Sequence, residues 1–466
     1  MTNSTAIGGF APAELLPDGL AAKVETACGA TILSVQPQGG GGASRQGAEL
    51  LLGYPGGRER HAYINYDTMK SGAADDADVL REGAVLRALS GPLRDLGVRA
   101  AGFIAAIPEC RALICDFVAG NSNFGSVKSP VDRQAIAYDF MAQLATLHSL
   151  DPSERPIAGF DDAREPARAV RESIQKLRTR HLAAGPHPLI LLTLDWLERN
   201  VPADPHRIVV VHGDPGPGNF LFAGKRVTAL LDWELVHYGD AMEDLAMLCI
   251  RNLFQPFIHL PDAFAAYESA GGVKVDLARV RYYRLFFQVR WASRLSRIND
   301  PKAAPPVYGT SLVYATTHMR VLNQALAEAA GIPLPPIDIP EQPPGAHRRS
   351  FDVALADLRD FIVARLTDQQ AVAKAKGLAR LVKWWRDIER FGPAFDVIER
   401  TEYSRVLNRP FASAAAARAA LCQSILEGTL DQAMAIRLCH YTTSLDGALL
   451  ADAMGAFAST RFAPLE

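Results

Sequence analysis

The spacing of hydrophobic and polar residues differs between the first 120 residues and the rest of the chain. The N-terminal part contains short apolar runs bounded by glycine, proline and polar residues, a pattern typical of β-strands. One amphipathic helix interrupts them, because apolar residues recur there at helical spacing. The predicted strands are 31–35, 48–52, 61–67 and one within 111–120, and the predicted helix is 78–89.

Helical spacing dominates after residue 130, in segments 138–150, 163–200 and 276–299. The proline-rich segment 331–345 predicts an extended, semi-rigid connector and therefore a domain boundary. The pattern beyond it predicts helices without strands, at 351–364, 371–391, 413–427 and 431–440. The prediction is an α+β protein with an all-α C-terminal domain.

One stretch, 208–240, departs from this helical background. A β-branched apolar run ends at His212-Gly213-Asp214, and two further apolar runs predict a hairpin that closes near Gly224-Lys225. A two-residue turn there would place Asn219 opposite Leu230, with Asp232 two residues further on. Because side chains alternate along a strand, Asn219 and Asp232 are expected to project on the same side.

An amide oxygen and a carboxylate at one point suit magnesium, which prefers hard oxygen ligands. Asp214 precedes Asn219 by five positions. The catalytic loop of protein kinases has this spacing between the base and a metal-binding Asn, and a metal-binding Asp follows. Taken singly, Asp and Asn beside Gly and Pro are mostly turn formers. Their combination favours Asp214 as the base and Asn219 and Asp232 as metal ligands, with Glu234 assisting.

The segments HGDPGPGN and LLDWELVHYGDAMEDLA resemble the aminoglycoside phosphotransferase family, which includes choline-kinase-like and hydroxyacyl-CoA-kinase-like enzymes. The resemblance implies a two-lobe, protein-kinase-like fold with a small β-rich N-lobe and a larger helical C-lobe. It also implies ATP-dependent phosphorylation of a hydroxyl on a small molecule, with Mg2+, but not an antibiotic substrate. The expected division is an N-lobe at 1–118, a C-lobe at 119–330, a linker at 331–345 and a helical domain at 346–466. That last domain resembles a small helical domain sometimes appended to these proteins.

The nucleotide site is expected in the N-lobe. A glycine-rich turn between two predicted strands would bring backbone N–H groups close to phosphates, although such a turn is also an ordinary flexible loop. In the family the third strand carries a basic residue that pairs with the ATP phosphates, and Asn65 stands there in this chain. Either Lys70, Arg58 or Arg60 takes that role, or phosphate binding differs. The turn residues assigned to the nucleotide site are Gly40, Gly41, Gly42 and Ser44.

Two further features follow from the resemblance. Glu82 matches the helix glutamate of the family, but a solvated surface glutamate explains it equally well. Asp116, Phe117 and Val118 match the hinge between the lobes, where backbone groups would contact adenine; the alternative is one more buried strand. His148 is interpreted as structural, and Asp240 and Asp244 as residues that fix the loop and cap the following helix.

Composition narrows the remaining possibilities. The chain has 466 residues and a formal net charge of -2, so no overall basic character indicates nucleic acid as a partner. The six cysteines have no zinc-type spacing, and no signal peptide or membrane-spanning run is recognised. A cytoplasmic, soluble protein without a membrane or nucleic-acid partner is expected, and its oligomeric state is left open.

The acceptor is indicated only by Arg290, Arg294 and Arg297, which share one face of a predicted helix. They form either a solvated basic face or part of an acceptor cleft. A basic cleft would favour an anionic alcohol, such as a hydroxyacyl-CoA, over a polycationic aminoglycoside. The leading hypothesis is an ATP-dependent small-molecule O-kinase, and the alternative is a nucleotide-binding pseudokinase or scaffold, which Asn65 favours.

Overall fold

The computed structural model describes residues 15–38, 45–67, 77–160, 165–298 and 307–466. The chain forms two compact units. Unit 1 comprises Met1–Pro166, Asp204–Val275 and Leu465–Glu466, and unit 2 comprises Ala167–Ala203 and Asp276–Pro464. Unit 2 thus combines helices from either side of the predicted 331–345 boundary. Amphipathic spacing locates the apolar face of a helix but not the helix that covers it, so the linear division and the compact units differ.

The strands are β1 (Thr31–Gln38), β2 (Gln46–Gly53), β3 (Glu59–Tyr66), β4 (Phe103–Ile107), β5 (Ala112–Asp116), β6 (Val209–Val211), β7 (Phe220–Ala223), β8 (Arg226–Leu230) and β9 (His237–Gly239). The helices are α1 (Leu20–Cys28), α2 (Ala77–Ser90), α3 (Pro130–His148), α4 (Pro166–Ala183), α5 (Pro188–Arg199), α6 (Ala241–Asn252), α7 (Leu260–Ser269), α8 (Leu277–Leu295), α9 (Tyr308–Ala329), α10 (Arg348–Ala356), α11 (Gln369–Leu407), α12 (Ala414–Leu426), α13 (Gln432–Ala448) and α14 (Ala451–Met454). No helix in these described ranges is long and apolar enough to cross a membrane.

Unit 1 contains a five-stranded antiparallel sheet in the order β1-β2-β3-β5-β4. Its core side packs against α1, through Leu20 and Val24, and residues such as Leu50 and Ile64 are fully enclosed there. α1 precedes the first predicted strand, and its apolar side chains are part of the core of the sheet.

The two small sheets of unit 1 bring the central stretch together. β6 pairs with β9, and β7 pairs with β8 in the predicted hairpin. The register shifts by one between Leu221 and Phe222, so Phe220 and not Asn219 lies opposite Leu230. The prediction that Asn219 faces Leu230 is therefore wrong, because a β-bulge adds one residue to one strand and sequence spacing does not reveal it.

Unit 2 is helical. α10 continues into a π-turn at Asp357–Ile362 and a 3-10 turn at Val363–Arg365. α11 runs to Leu407 with Pro393 inside it, although the predicted helix ended at residue 391. Residues 332–345 contain neither helix nor strand, as predicted, and are fixed by contacts such as the 2.9 Å hydrogen bond between His440 Nε2 and the Pro335 carbonyl.

Candidate active site

The loop after β6 is anchored by its backbone to α6. The amides of His212 and Gly213 each donate to the Asp244 carboxylate, at 2.8 Å. Gly213 has φ 88°, and a Cβ atom there would lie 2.4 Å from the Leu235 carbonyl oxygen, so only glycine fits. Asp240 caps α6 with a capping box. Asp240 and Asp244 thus have the loop-fixing and capping roles expected of them.

Asp244 is completely buried and is held by a second contact. Its carboxylate lies 2.9 Å from His148 Nε2, and His148 Nδ1 lies 2.7 Å from the Tyr267 hydroxyl. Burial alone would raise the pKa of Asp244, but the hydrogen bonds from His148 and the Gly213 amide lower it below its ordinary value. His148 therefore stabilises the loop through Asp244, and its role is structural, as predicted.

The half-buried Asp214 carboxylate lies between an amide and a guanidinium. Asn219 Nδ2 donates to the Asp214 carboxylate at 2.9 Å and to its carbonyl at 2.8 Å. Arg251 on α6 donates through Nε at 2.6 Å and also through Nη2 to the other carboxylate oxygen. Arg251 Nη1 reaches the Pro217 carbonyl at 2.9 Å. This two-point contact fixes the plane of the Asp214 carboxylate.

Asp232 follows β8 and lies in the same cluster of charges. Its backbone has φ 66°, in the left-handed region that non-glycine residues seldom adopt. Burial and then the Glu234 and Asp214 carboxylates raise the pKa of Asp232 to about 6. The neighbouring Trp233 is buried against His212, with ring centroids 4.6 Å apart. The two motifs of the central stretch are therefore packed on each other.

These residues fit the magnesium site expected from the sequence. With Nδ2 of Asn219 bound to Asp214, its amide oxygen remains for a cation, and Asp232 adds a carboxylate oxygen. Burial and then the nearby Glu234 and Asp214 carboxylates raise the pKa of Asp232, and a divalent cation would offset this charge. Over the described residues no group of three or more His, Cys, Asp or Glu side chains forms a metal cage. A site with few protein ligands is what magnesium bound to nucleotide phosphates uses.

Glu82 on α2 is buried, with 3% of its surface exposed, and pairs with Arg45. Arg45 Nη1 lies 2.6 Å from a Glu82 carboxylate oxygen, and Arg45 Nη2 lies 3.7 Å from Glu234. The alternative that Glu82 is a solvated surface residue is wrong. The cationic partner of Glu82 is Arg45, the residue before β2.

The other residues assigned to the nucleotide site differ in their burial and in whether their backbone groups are already hydrogen-bonded. Asn65 is half-buried near the end of β3, opposite Gly47 of β2. The amides of Asp116 and Phe117 donate to the carbonyls of Gly102 and His61, so these two N–H groups are occupied inside unit 1. Val118 follows them and is half-buried. Gly40, Gly41, Gly42, Ser44 and Lys70 lie outside the described residues.

Sequence reasoning missed Arg45 and Arg251. Each had a signal: Arg45 is the first basic residue after the glycine-rich segment, and Arg251 is the only basic residue in the otherwise acidic and apolar helix 241–252. The candidates named for the missing cation are engaged elsewhere: Arg60 Nε binds Asp116 at 2.6 Å, and Arg58 lies over the Tyr54 ring at 4.6 Å.

The sheet, the anchored loop and the carboxylate cluster are the arrangement expected of a kinase-like fold. Residues 69–283 match the model of the phosphotransferase enzyme family. A "putative aminoglycoside phosphotransferase" from Ralstonia eutropha has the same fold, with 19% identity, a TM-score of 0.52, and coverage of 67% of this chain and 97% of that one. The predicted kinase-like fold is confirmed, and the family match supports the predicted class of phosphotransferase with an alcohol acceptor.

Similar curated proteins are much longer than the matched region. Acyl-CoA dehydrogenase family member 11 of Rattus norvegicus is 34% identical over 127 residues, which is 26% of this chain and 16% of that protein. The Homo sapiens protein of the same name is 31% identical over 122 residues, 25% of this chain and 15% of that protein. The chain thus spans about a sixth of the length of these relatives.

Proposed function

We propose that the chain is an ATP- and magnesium-dependent O-kinase whose acceptor is an anionic small-molecule alcohol of the hydroxyacyl-CoA type. One observation carries the proposal: the Asp214 carboxylate is fixed by Asn219 and Arg251 beside the Asp232 carboxylate, on a loop anchored to Asp244. This arrangement places a proton acceptor next to a pair of oxygen donors for a cation. Phosphoryl transfer depends mainly on such positioning and on charge neutralisation.

Asp214 would orient the acceptor hydroxyl and receive its proton. The hydroxyl oxygen bonds to the γ-phosphorus, the bond from that phosphorus to the bridging oxygen of ADP breaks, and ADP leaves with the bonding pair. Arg251 keeps the Asp214 carboxylate in one orientation through two contacts, so little reorganisation is needed when the hydroxyl binds. Asn219 and Asp232 would hold magnesium, which neutralises phosphate charge when bound.

The class of acceptor is supported by two separate observations. Arg290 and Arg294 are exposed on α8. The Arg290 guanidinium lies 5.6 Å from the centre of the Phe286 ring, and the Arg294 guanidinium lies 5.9 Å from the centre of the Trp291 ring. Exposed Arg beside aromatic rings suits phosphate and planar groups, both of which CoA carries. The names of the curated relatives refer to acyl-CoA, although they belong to proteins of which this chain spans a small part.

The test is acceptor-dependent release of ADP, measured on the full chain with hydroxyacyl-CoAs, the corresponding free hydroxy acids and an aminoglycoside. We expect turnover with hydroxyacyl-CoAs and a loss of at least about 100-fold in Asp214→Asn, the scale for removal of a catalytic base. Lys225→Gln is the matched control, because Lys225 is exposed in the turn between β7 and β8 and pairs with Asp132 at 2.8 Å.

Turnover with free hydroxy acids alone would contradict the CoA assignment but retain the kinase. Equal turnover by wild type and Asp214→Asn would remove Asp214 from the chemistry. Binding of ATP without ADP release on any acceptor would favour the scaffold hypothesis. The support for that hypothesis is weaker than the sequence indicated, because Glu82 has a cationic partner in Arg45.

A further inference from the structure

Asn65 places a neutral amide on β3 at the position where the family has a basic residue. Side chains alternate along β3, so the buried Ala62, Ile64 and Tyr66 face the core while Tyr63 and Asn65 face the other side. That second side needs a cation for nucleotide phosphates, and a neutral amide does not provide one.

Arg45 lies on the same side of the sheet as Asn65. Gly47 pairs directly with Asn65 in the β2–β3 ladder, and directly paired residues share a face. Arg45 precedes Gly47 by two residues, and positions two apart on a strand also share a face. Neighbouring strands are about 4.8 Å apart, a distance that an arginine side chain spans. A guanidinium from position 45 can therefore occupy the space that a long side chain from position 65 would use.

Two nitrogen donors of Arg45 have no hydrogen-bond acceptor among the residues that the structure describes. Its side chain is only 8% exposed, yet Nε and Nη2 are buried without a hydrogen-bond partner. Glu82 binds Nη1 alone, and Glu234, at 3.7 Å from Nη2, is beyond hydrogen-bond distance. Buried donors without acceptors are costly, so such groups point to a ligand that completes them. Phosphate oxygens match the paired donors of a guanidinium.

Two carboxylates of the candidate site lie close enough to Arg45 to act on its charge. Glu234 and Asp232 both act electrostatically on Arg45, and Asp232 is the carboxylate assigned above to magnesium. Glu82, from α2, binds the guanidinium through Nη1 and leaves Nε and Nη2 without a hydrogen bond within the described part of the chain, and Nη2 lies 3.7 Å from Glu234. A phosphate placed between Arg45 and Asp232 would accept hydrogen bonds from Nε and Nη2 of Arg45. It would also supply oxygen ligands to magnesium at Asp232.

We propose that Arg45 binds the nucleotide phosphates in place of the basic residue absent from position 65, and that Glu82 positions it. The role has moved from β3 to the residue before β2, across one strand of the sheet. The inference rests on the proposed kinase function for the identity of the ligand. Arg45 is a binding residue and Glu82 a positioning residue that acts through it.

The experiment measures binding of ATP and of adenosine by calorimetry, on the full chain with magnesium and without acceptor. Adenosine lacks phosphates, so it reports the rest of the nucleotide site. We expect Arg45→Met to weaken ATP about 10- to 100-fold, the range for losing charge-assisted hydrogen bonds, and to change adenosine affinity less than about twofold. Arg81→Met on α2 is the control, since Arg81 pairs with Asp78 at 3.0 Å and should leave both affinities unchanged.

A second variant pair tests the relocation itself. In Arg45→Met combined with Asn65→Lys, the cation returns to β3, and we expect ATP affinity to recover at least about tenfold over Arg45→Met. Arg45→Lys keeps the charge without the fork and should show an intermediate loss, which provides a readout if Arg45→Met does not fold. Unchanged ATP affinity in Arg45→Met, or equal loss of ATP and adenosine, would overturn the proposal. A double variant as weak as Arg45→Met would refute the exchange between positions 45 and 65.

These results are independent of turnover. If wild type binds neither ATP nor adenosine, the proposed kinase function fails. If it binds both and Arg45→Met binds both equally well, only the role of Arg45 fails.

Discussion

Replacement of Asp232 by Asn should stabilise the metal-free fold at neutral pH. Asp232 has a pKa of about 6 in the folded protein against an ordinary value of 3.8, because it is buried near Glu234 and Asp214. Since folding raises this pKa, its contribution to stability is fully present below about pH 3.8 and is lost as pH rises through about 6. The difference corresponds to about 3 kcal/mol, an upper limit for the gain in Asp232→Asn at pH 7.5.

The assay is urea unfolding of both proteins in chelator at pH 5 and pH 7.5. Trp233 is the only tryptophan of unit 1, so 19F NMR of 5-fluorotryptophan protein follows that unit alone. The advantage of Asp232→Asn should grow from pH 5 to pH 7.5, whereas Glu154→Gln, at an exposed carboxylate of the same unit, should show no such growth. Magnesium with ATP should stabilise wild type more than the variant. A variant no more stable than wild type at pH 7.5 would refute the reasoning.

Two more predictions concern stability. Gly213→Ala should destabilise unit 1 by about 3 kcal/mol or more, since its Cβ would meet the Leu235 carbonyl at 2.4 Å, while Gly224→Ala, also at positive φ but with no atom within 4 Å, should cost only about 1 kcal/mol. Equal losses in urea unfolding would mean that φ alone decides. In unit 2, Arg418→Met should cost about 3–5 kcal/mol, because it leaves Glu399 buried without its 2.8 Å partner. Arg405→Met, at an exposed pair with Glu402, is the control in thermal unfolding, and a similar loss there would contradict the argument.

The fold was predictable where hydrophobic spacing and local turns decide it. Strands β1, β2, β3 and β5 and helix α2 fall close to their predicted positions because each buries one face in a regular pattern. The bulge in the β7–β8 hairpin was not predictable, since it depends on the packing of strands rather than on turn residues. The grouping of helices from 167–203 and 276–330 with the C-terminal helices was missed for the same reason.

Some residues of the candidate site were predicted from the sequence and others were missed. Asp214, Asn219 and Asp232 were recognised because their order and spacing lie within one local stretch. Arg251 binds Asp214 from 37 positions away, and Arg45 binds Glu82 from 37 positions away, so neither contact leaves a trace in local spacing. A buried carboxylate requires a cationic partner, but the sequence does not state which cation is brought to it.

The two missed arginines explain why the remaining carboxylates are available to a metal. Arg251 binds Asp214 through two of its nitrogens, and Arg45 binds Glu82 through one. Each guanidinium thus pairs with one carboxylate, and the two only partly offset the effect of burial, Glu234 and Asp214, which raise the pKa of Asp232. Such a concentration of charge destabilises the fold, and a divalent cation with its phosphates would offset it. The same geometry that would bind magnesium therefore makes the metal-free protein less stable, which is why Asp232→Asn should gain stability as it loses the metal.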